Sequence, residues 1–525
     1  MSFDPTEPNA ADAAPSAEET IVGIEALLAD RRRMLELSTE MRERLLTACG
    51  RLARPDYKEK SAYNKARRRK RTAERKQADE AVLERTRIRS QRIALVYPTP
   101  LPDGSGDVDA GGVPATPPSP GSVRLARNCY ICKADYHEVH GFYDAMCGKC
   151  ADLNWEKRNQ TADLGGRVAL LTGGRVKIGY QAGVKLLRAG AHLIVTTRFP
   201  RDAAVRYAGE PDFEEWCDRL AIYGLDLRHT PSVEALCSHL HKKYQRLDFL
   251  VNNACQTVRR PPGFYAHLME AEAHLLATLP NTARGVVADY EALRQRGELL
   301  DAAAHGPSTS QPSLAGASGS DRVGIDRAAA LSQLALVDGD ADMSEVLFPT
   351  GRLDADLQQV DLRDRNSWRL ALAEVPTVEL LEVHLVNAVA PFVFNARLKP
   401  LMLRANDRDK HVVNVSAMEG QFYRAFKTDK HPHTNMAKAS LNMMTRTSAA
   451  DYLNDGIHMN SVDTGWITDE DPAHLTELKR QEHGFHTPLD HVDAAARILD
   501  PIFHGINTGD HAWGQFFKDY KPTRW

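Results

Sequence analysis

An apolar run, Val168-Ala169-Leu170-Leu171-Thr172, breaks into Gly173-Gly174-Arg175-Val176-Lys177-Ile178-Gly179 and restarts from Tyr180 with helical spacing. A buried strand, a glycine turn and a helix in direct succession constrain the chain to a strand–helix unit of a parallel sheet. Strands and helices keep alternating from Gly166 onward, so the expected class is α/β, a doubly wound parallel sheet. The turn gathers free backbone N–H groups and the positive end of a helix dipole, which suits the pyrophosphate of a dinucleotide. Thr172, Gly173, Gly174, Arg175, Lys177, Ile178 and Gly179 are therefore candidate cofactor contacts.

At 525 residues the chain exceeds one ordinary core, so a large domain with additions is expected. Residues 1–20, rich in Ala, Pro and acid, read as disordered, and 21–97 as a helical, basic region. Within it Lys65, Arg67, Arg68, Arg69, Lys70 and Arg71 read first as a solvated helix face, with an acidic partner as the rival reading. A net charge of −3 argues against a whole-protein nucleic-acid binder. No apolar run is read as a membrane span and the start is no signal peptide, so the expected location is cytoplasmic. Residues 98–124 read as a Pro/Gly linker, 125–158 as a cysteine module, and 160–525 as the sheet domain, with an insertion at about 258–375.

Cys129-Tyr130-Ile131-Cys132 and Cys147-Gly148-Lys149-Cys150 are separated by 14 residues. Paired thiolates in two turns make an all-sulfur tetrahedral site for structural Zn²⁺ at Cys129, Cys132, Cys147 and Cys150. His137 and His140 lie between the pairs as substitute ligands. A redox role is disfavoured, because neither pair is read as opening a helix after a strand.

The later signals follow in order: Thr196-Thr197-Arg198, Leu225-Asp226-Leu227, Val251-Asn252-Asn253-Ala254, Asn387, Val415-Ser416-Ala417 and Ala437-Lys438-Ala439-Ser440. Together with the glycine turn they resemble the short-chain dehydrogenase/reductase family, over about 164–509, and its Rossmann-like fold. The family's glycine pattern TGxxxGxG meets Lys177 where the middle glycine belongs. The second strand ends in Arg198 with no carboxylate, so Arg198 and Arg175 are candidates for a 2′-phosphate, and NADP is expected over NAD. The resemblance implies Asp226 near the adenine amine, Asn252, Asn253 and Ala254 along the cofactor, and Ile467 and Thr468 at its carboxamide end.

The resemblance further implies a catalytic Asn, Ser, Tyr and Lys. Asn387, Ser416 and Lys438 match three of them, but Thr434 stands four residues before Lys438 where the tyrosine belongs. An alkyl hydroxyl has a pKa far above the phenol's ~10. Tyr423, in a literal YxxxK with Lys427, is read as able to fold back over the nicotinamide, and His431 and His433 as rival proton donors. The expected function is NADP-dependent hydride transfer to or from a small carbonyl or alcohol. The rival is a non-catalytic dinucleotide sensor or scaffold acting on a protein partner through its zinc module and basic helices. Nucleic acid is not the expected partner, and a homo-oligomer is left open.

Overall fold

The computed structural model describes residues 16–100, 115–305, 322–423 and 427–525. The linker stretch 101–114 and the loop 306–321 lie outside them, as do residues 1–15. The chain divides into two units at Ala78/Asp79. In the first, helices span Ala17–Ala29 and Thr39–Ala53, and a third, Tyr57–Leu83, runs on past the division. Residues 17–20, expected as disordered, form a helical turn because Ser16 and Glu19 make a reciprocal capping box. No described residue before Asp79 is buried, and the basic run 65–71 is exposed along its length.

The second unit begins with a hairpin of β1 (Gly121–Asn128) and β2 (Asp135–Val139), followed by the helix Gly148–Asn159. β1 starts inside the stretch expected as linker. It forms there because it pairs with β2 of the cysteine segment, with Val123 buried beside Leu83 and Val139.

The large sheet holds β3 (Val168–Thr172), β4 (His192–Thr197), β5 (Leu220–Gly224), β6 (Phe249–Asn252), β7 (Lys410–Ser416), β8 (Ile457–Asp463), β9 (Phe516–Lys518) and β10 (Lys521–Thr523). Their order is β5-β4-β3-β6-β7-β8-β9-β10, parallel except for β10. The order in which successive strands are added reverses between β3 and β6, which run parallel, and the crevice at their carboxyl ends is where such sheets bind ligands.

Successive side chains separate to two faces. Ala169, Leu171, Leu193 and Val195 join the core under the helices Lys177–Arg188 and His491–Thr508. Leu170, Ile194 and Val412 join the core under Thr230–Lys243, Ala390–Met402 and Pro432–Asn454. Against the expectation of no span-like run, Thr377–Met402 is long and apolar enough to cross a membrane by composition alone. It packs within the domain, with Val383, Phe394 and Leu398 buried, because a π segment joins two shorter runs into one rod.

The insertion contributes helices Pro262–Thr278 and Asn281–His305 and short turns from Val323 onward. It covers the β5 edge so closely that a Cβ on Gly224 would meet the Tyr290 hydroxyl at 2.3 Å. A sheet edge that would otherwise stay open is thereby closed.

Candidate active site

Strand β3 ends in a turn whose shape glycine alone permits at two points. Gly173 has φ +71°, and a Cβ on Gly179 would meet the Gly173 carbonyl oxygen at 2.0 Å. Lys177 occupies the left-handed region as well, at φ +55°, which explains in backbone terms why a glycine is expected there. The helix it opens, Lys177–Arg188, has Val176 as its N-cap with no side-chain hydrogen bond, so its first N–H groups stay available to an anion.

Thr172, Asn253 and Ala254 tie the turn to β6. The Thr172 hydroxyl accepts from the N–H groups of Asn253 and Ala254, both at 3.0 Å, and the Asn253 amide donates to the carbonyls of Thr172 and Gly173. Asn252, expected along the cofactor, points elsewhere: it is buried and donates to Asn395 and Asn414 at 2.9 and 2.8 Å. It belongs to a polar network that continues through Thr445 to Ser461 and holds β6, β7 and β8 to the helices.

The adenosine end departs further from expectation. The Arg175 guanidinium, a candidate for a 2′-phosphate, is engaged within the chain by Asp202 at 2.7 Å and Gln358 at 2.5 Å. Arg198 remains half-buried, stacked on Tyr265 and donating to its hydroxyl at 2.7 Å. Asp226 is 1 % exposed and gripped by Arg228 at 2.7 Å, and its N–H donates to the Gly324 carbonyl. Burial opposes the Asp226 charge, but Arg228 outweighs it and keeps the carboxyl below its ordinary range. The carboxylate is thus committed within the chain rather than offered to an adenine. Ser332 lies 3.5 Å from Arg198 and the Leu331 carbonyl accepts from Arg228, so the insertion lines this end.

At the other end the expected catalytic residues are deeply placed. Asn387 sits in the π segment Leu385–Val389 and exchanges hydrogen bonds with the Gln256 backbone at 2.8 and 3.1 Å. Ser416 closes β7, and Thr434 and Lys438 share a face of the helix Pro432–Asn454, all three at most 4 % exposed. Lys438 donates to the Val415 carbonyl at 2.8 Å, while the hydroxyls of Ser416 and Thr434 have no partner. Buried hydroxyls without partners call for an explanation, and a bound ligand group is one of those available. A Cβ on Gly420 would meet the Lys438 carbonyl carbon at 2.6 Å, so the turn after Ser416 lies directly on that helix.

Tyr423 does not fold over this site. It is 69 % exposed and lies under Arg524, 5.1 Å away, because Gln421 donates to the Arg524 carbonyl and fixes the start of this loop there. Residues 424–426 of the literal YxxxK fall outside the described residues. His431 stacks on Trp368 at 3.8 Å, and burial lowers its basicity. His433, 1 % exposed, places Nε2 3.3 Å from Glu379. Three residues that sequence reasoning missed stand nearby: Glu379, Trp368 and Asp463, whose carboxyl burial holds above its ordinary value. Asp463 was legible only as an acid ending an apolar strand.

Ile467 and Thr468 also differ from expectation. Ile467 is buried in an apolar cluster with Cys129, Tyr136 and Phe142 of the cysteine module, and Thr468 donates to Glu470 at 2.7 Å. Ile178 packs on the same cluster, so the module walls the helix that opens at the glycine turn.

In that module the four sulfurs of Cys129, Cys132, Cys147 and Cys150 lie within 4.8 Å of one another, with Cys132 and Cys147 3.6 Å apart. A tetrahedron with metal–sulfur bonds of about 2.3 Å has sulfur edges of about 3.8 Å, so the donor set fits Zn²⁺. The second pair opens a helix, with Cys147 as the N-cap of Gly148–Asn159, but it follows a loop and not directly a strand. The Ala134 N–H lowers the Cys132 thiol to about 7, toward the thiolate a metal takes. His137 and His140 bond to backbone instead and stand outside the sulfur cluster.

A family profile described as short chain dehydrogenase matches residues 167–273, and one described as Enoyl-(Acyl carrier protein) reductase matches 345–492. The chain belongs to the short-chain dehydrogenase/reductase family. The two matches flank much of the insertion, and this short-chain dehydrogenase/reductase is accordingly of the oxidoreductase type. It is 30 % identical over 403 residues to an uncharacterized protein of Acanthamoeba polyphaga mimivirus, covering 75 % of this chain and 74 % of that one. It is 36 % identical over 107 residues to the short chain dehydrogenase/reductase dpchH of Colletotrichum higginsianum, 20 % of this chain and 26 % of that one. It is 31 % identical over 91 residues to (+)-neomenthol dehydrogenase of Capsicum annuum, 17 % and 28 % of the respective chains. A solved structure similar to this short-chain dehydrogenase/reductase is the Pseudomonas aeruginosa RhlG/NADP active-site complex, at 16 % identity, 68 % and 95 % coverage and a TM-score of 0.39.

Proposed function

We propose that this chain is an NADP-dependent oxidoreductase acting on a small carbonyl or alcohol, with a structural zinc at its four cysteines. The observation that carries the reading is the pair of buried, partnerless hydroxyls of Ser416 and Thr434 beside Lys438. A bound nicotinamide dinucleotide would supply or accept the hydride. The uncapped helix start after Val176 would hold its pyrophosphate, and Arg198, with no carboxylate beside it on β4, supports a preference for the 2′-phosphate.

Ser416 would hydrogen-bond the substrate oxygen and hold it in place. Lys438 uses one of its three N–H donors on Val415, and the other two face the sugar hydroxyls in this reading. Thr434 can relay a hydrogen bond but cannot ionise near neutrality, so the proton has another source. His433, oriented by Glu379, is the buried titratable group adjacent to it in sequence.

The missing phenol and the occupied adenosine end favour one second reading, a dinucleotide-binding protein without turnover. NADPH fluorescence with a panel of aldehydes, ketones and quinones separates the two. Enhanced emission that decays with substrate, and does not decay in Ser416→Ala, supports the enzyme, whereas emission that persists across the panel supports the binder. Arg198→Asp is expected to weaken NADPH by about 10–100-fold relative to NADH. Equal loss of both would remove Arg198 from the phosphate site.

A further inference from the structure

Among the polar contacts between the cysteine module and the sheet domain, one is made by Tyr130. Tyr130 lies between the first two cysteines, and its backbone is fixed there: its N–H donates to Ala145 at 2.9 Å, while Lys133 donates to Cys129 at 3.1 Å and closes the turn. Its side chain reaches across to the loop after β8, where the Tyr130 hydroxyl accepts the Trp466 N–H at 3.0 Å. Gly465, at φ +82°, brings that loop so close that a Cβ there would stand 3.5 Å from the same hydroxyl. Ile467, the next residue but one, is buried in the apolar cluster that contains Cys129.

The other end of this loop faces the catalytic strand. Asp463, the last residue of β8, accepts the Met418 N–H at 3.1 Å, and Met418 is two residues past Ser416. One short segment therefore spans from the cysteine turn to the turn that carries Ser416. A metal ion bound by Cys129 and Cys132 would fix both ends of the turn holding Tyr130, because each coordinated sulfur constrains its own backbone.

We infer that Tyr130 is a positioning residue through which the metal-bound cysteine turn sets the loop Asp463–Thr468 against the site. This rests on the reading of the site as a dinucleotide pocket and of the cysteines as a metal centre. Loss of the metal or of the Tyr130 hydroxyl would release the Trp466 N–H and weaken NADPH without removing any group that touches it.

The test uses the full chain, with metal content measured alongside hydrogen exchange of the Trp466 amide and NADPH affinity. Tyr130→Phe is expected to keep its metal, to speed Trp466 exchange at least tenfold, and to weaken NADPH several-fold. Chelation, or Cys147→Ser, is expected to speed Trp466 exchange to the same extent, and Tyr130→Phe after chelation to add nothing further. Unchanged Trp466 exchange in metal-loaded Tyr130→Phe overturns the positioning role. Exchange that speeds in Tyr130→Phe but not on metal removal, or a purified chain without metal, overturns the metal's part in it. If NADPH binds neither protein, the dinucleotide reading fails by itself, since the exchange measurement does not depend on it.

Discussion

Arg158 on the module helix is 3 % exposed at its side chain and lies against two carboxylates of the sheet domain that are equally buried. It reaches Asp490 at 2.6 and 2.9 Å and Asp493 at 2.9 Å, with Tyr143 donating to Asp493 at 2.6 Å. The Phe142 ring lies 4.4 Å from the guanidinium. Arg158→Met keeps most of the packing and removes the charge, leaving two acids without their counterion. Breaking a buried pair by removing one partner costs about 3–5 kcal/mol.

For a unit of this size that corresponds to a melting point lower by about 3–6 °C. The pH dependence gives the sharper check. Burial opposes the Asp490 charge, but Arg158 outweighs it and keeps that carboxyl depressed, whereas burial and the neighbouring Asp490 raise Asp493. Without Arg158 both carboxyls rise above their unfolded values, so the folded state binds more protons than the unfolded one and loses stability as pH rises. Thermal melts followed by circular dichroism should therefore show a deficit that grows from pH 5 to pH 8. Adding Asp490→Asn should recover at least half of it at pH 8. A variant as stable as the parent, or a deficit larger at pH 5, would refute the reasoning.

Lys177→Gly relieves a left-handed backbone and should stabilise the fold by up to about 1 kcal/mol in urea melts, while any fall in NADPH affinity measures the contribution of the ammonium. His411 is fully buried, with Nε2 3.0 Å from His511 Nδ1, and burial lowers its basicity well below the usual histidine range. A depressed histidine is neutral in the folded state, so stability should fall as pH drops below the unfolded value of ~6.5, by about 1.4 kcal/mol per pH unit. Urea melts at pH 7 and pH 5 should show at least that slope, because other buried histidines such as His431 add to it, and His411→Phe should make it shallower by about that amount.

The repeating part of the fold was legible because local pattern determined it. Val168–Thr172 and Leu193-Ile194-Val195 announce buried parallel strands by continuous apolar residues, and Gly173 and Gly179 mark the turn. The positions of Ser416, Lys438 and Asn387 followed from order along the chain. What the sequence hid was pairing across long separations. Nothing local to Arg175 says that Asp202 and Gln358 will occupy it, and nothing near Asp226 announces Gly324, about a hundred residues later. Tyr423 was misplaced for the same reason, since the partner that draws it outward is Arg524 at the chain's end. The insertion, with weak periodicity and a loop-rich second half, declared its presence but not the strand edge it closes.

The contact between Gly420 and the Lys438 backbone has a consequence for motion. With main chain resting on main chain, there is no side chain between them whose rotation could act as a hinge. The strand end bearing Ser416 and the helix bearing Thr434 and Lys438 are therefore expected to move together. In the proposed enzyme, an opening that admits a substrate would come from the opposite wall, where Trp368 lies on His431 and the Leu370 carbonyl accepts the His431 N–H at 2.8 Å. Access would then depend on the insertion stretch that carries Trp368 and Leu370, while the spacing of Ser416, Thr434 and Lys438 would stay constant.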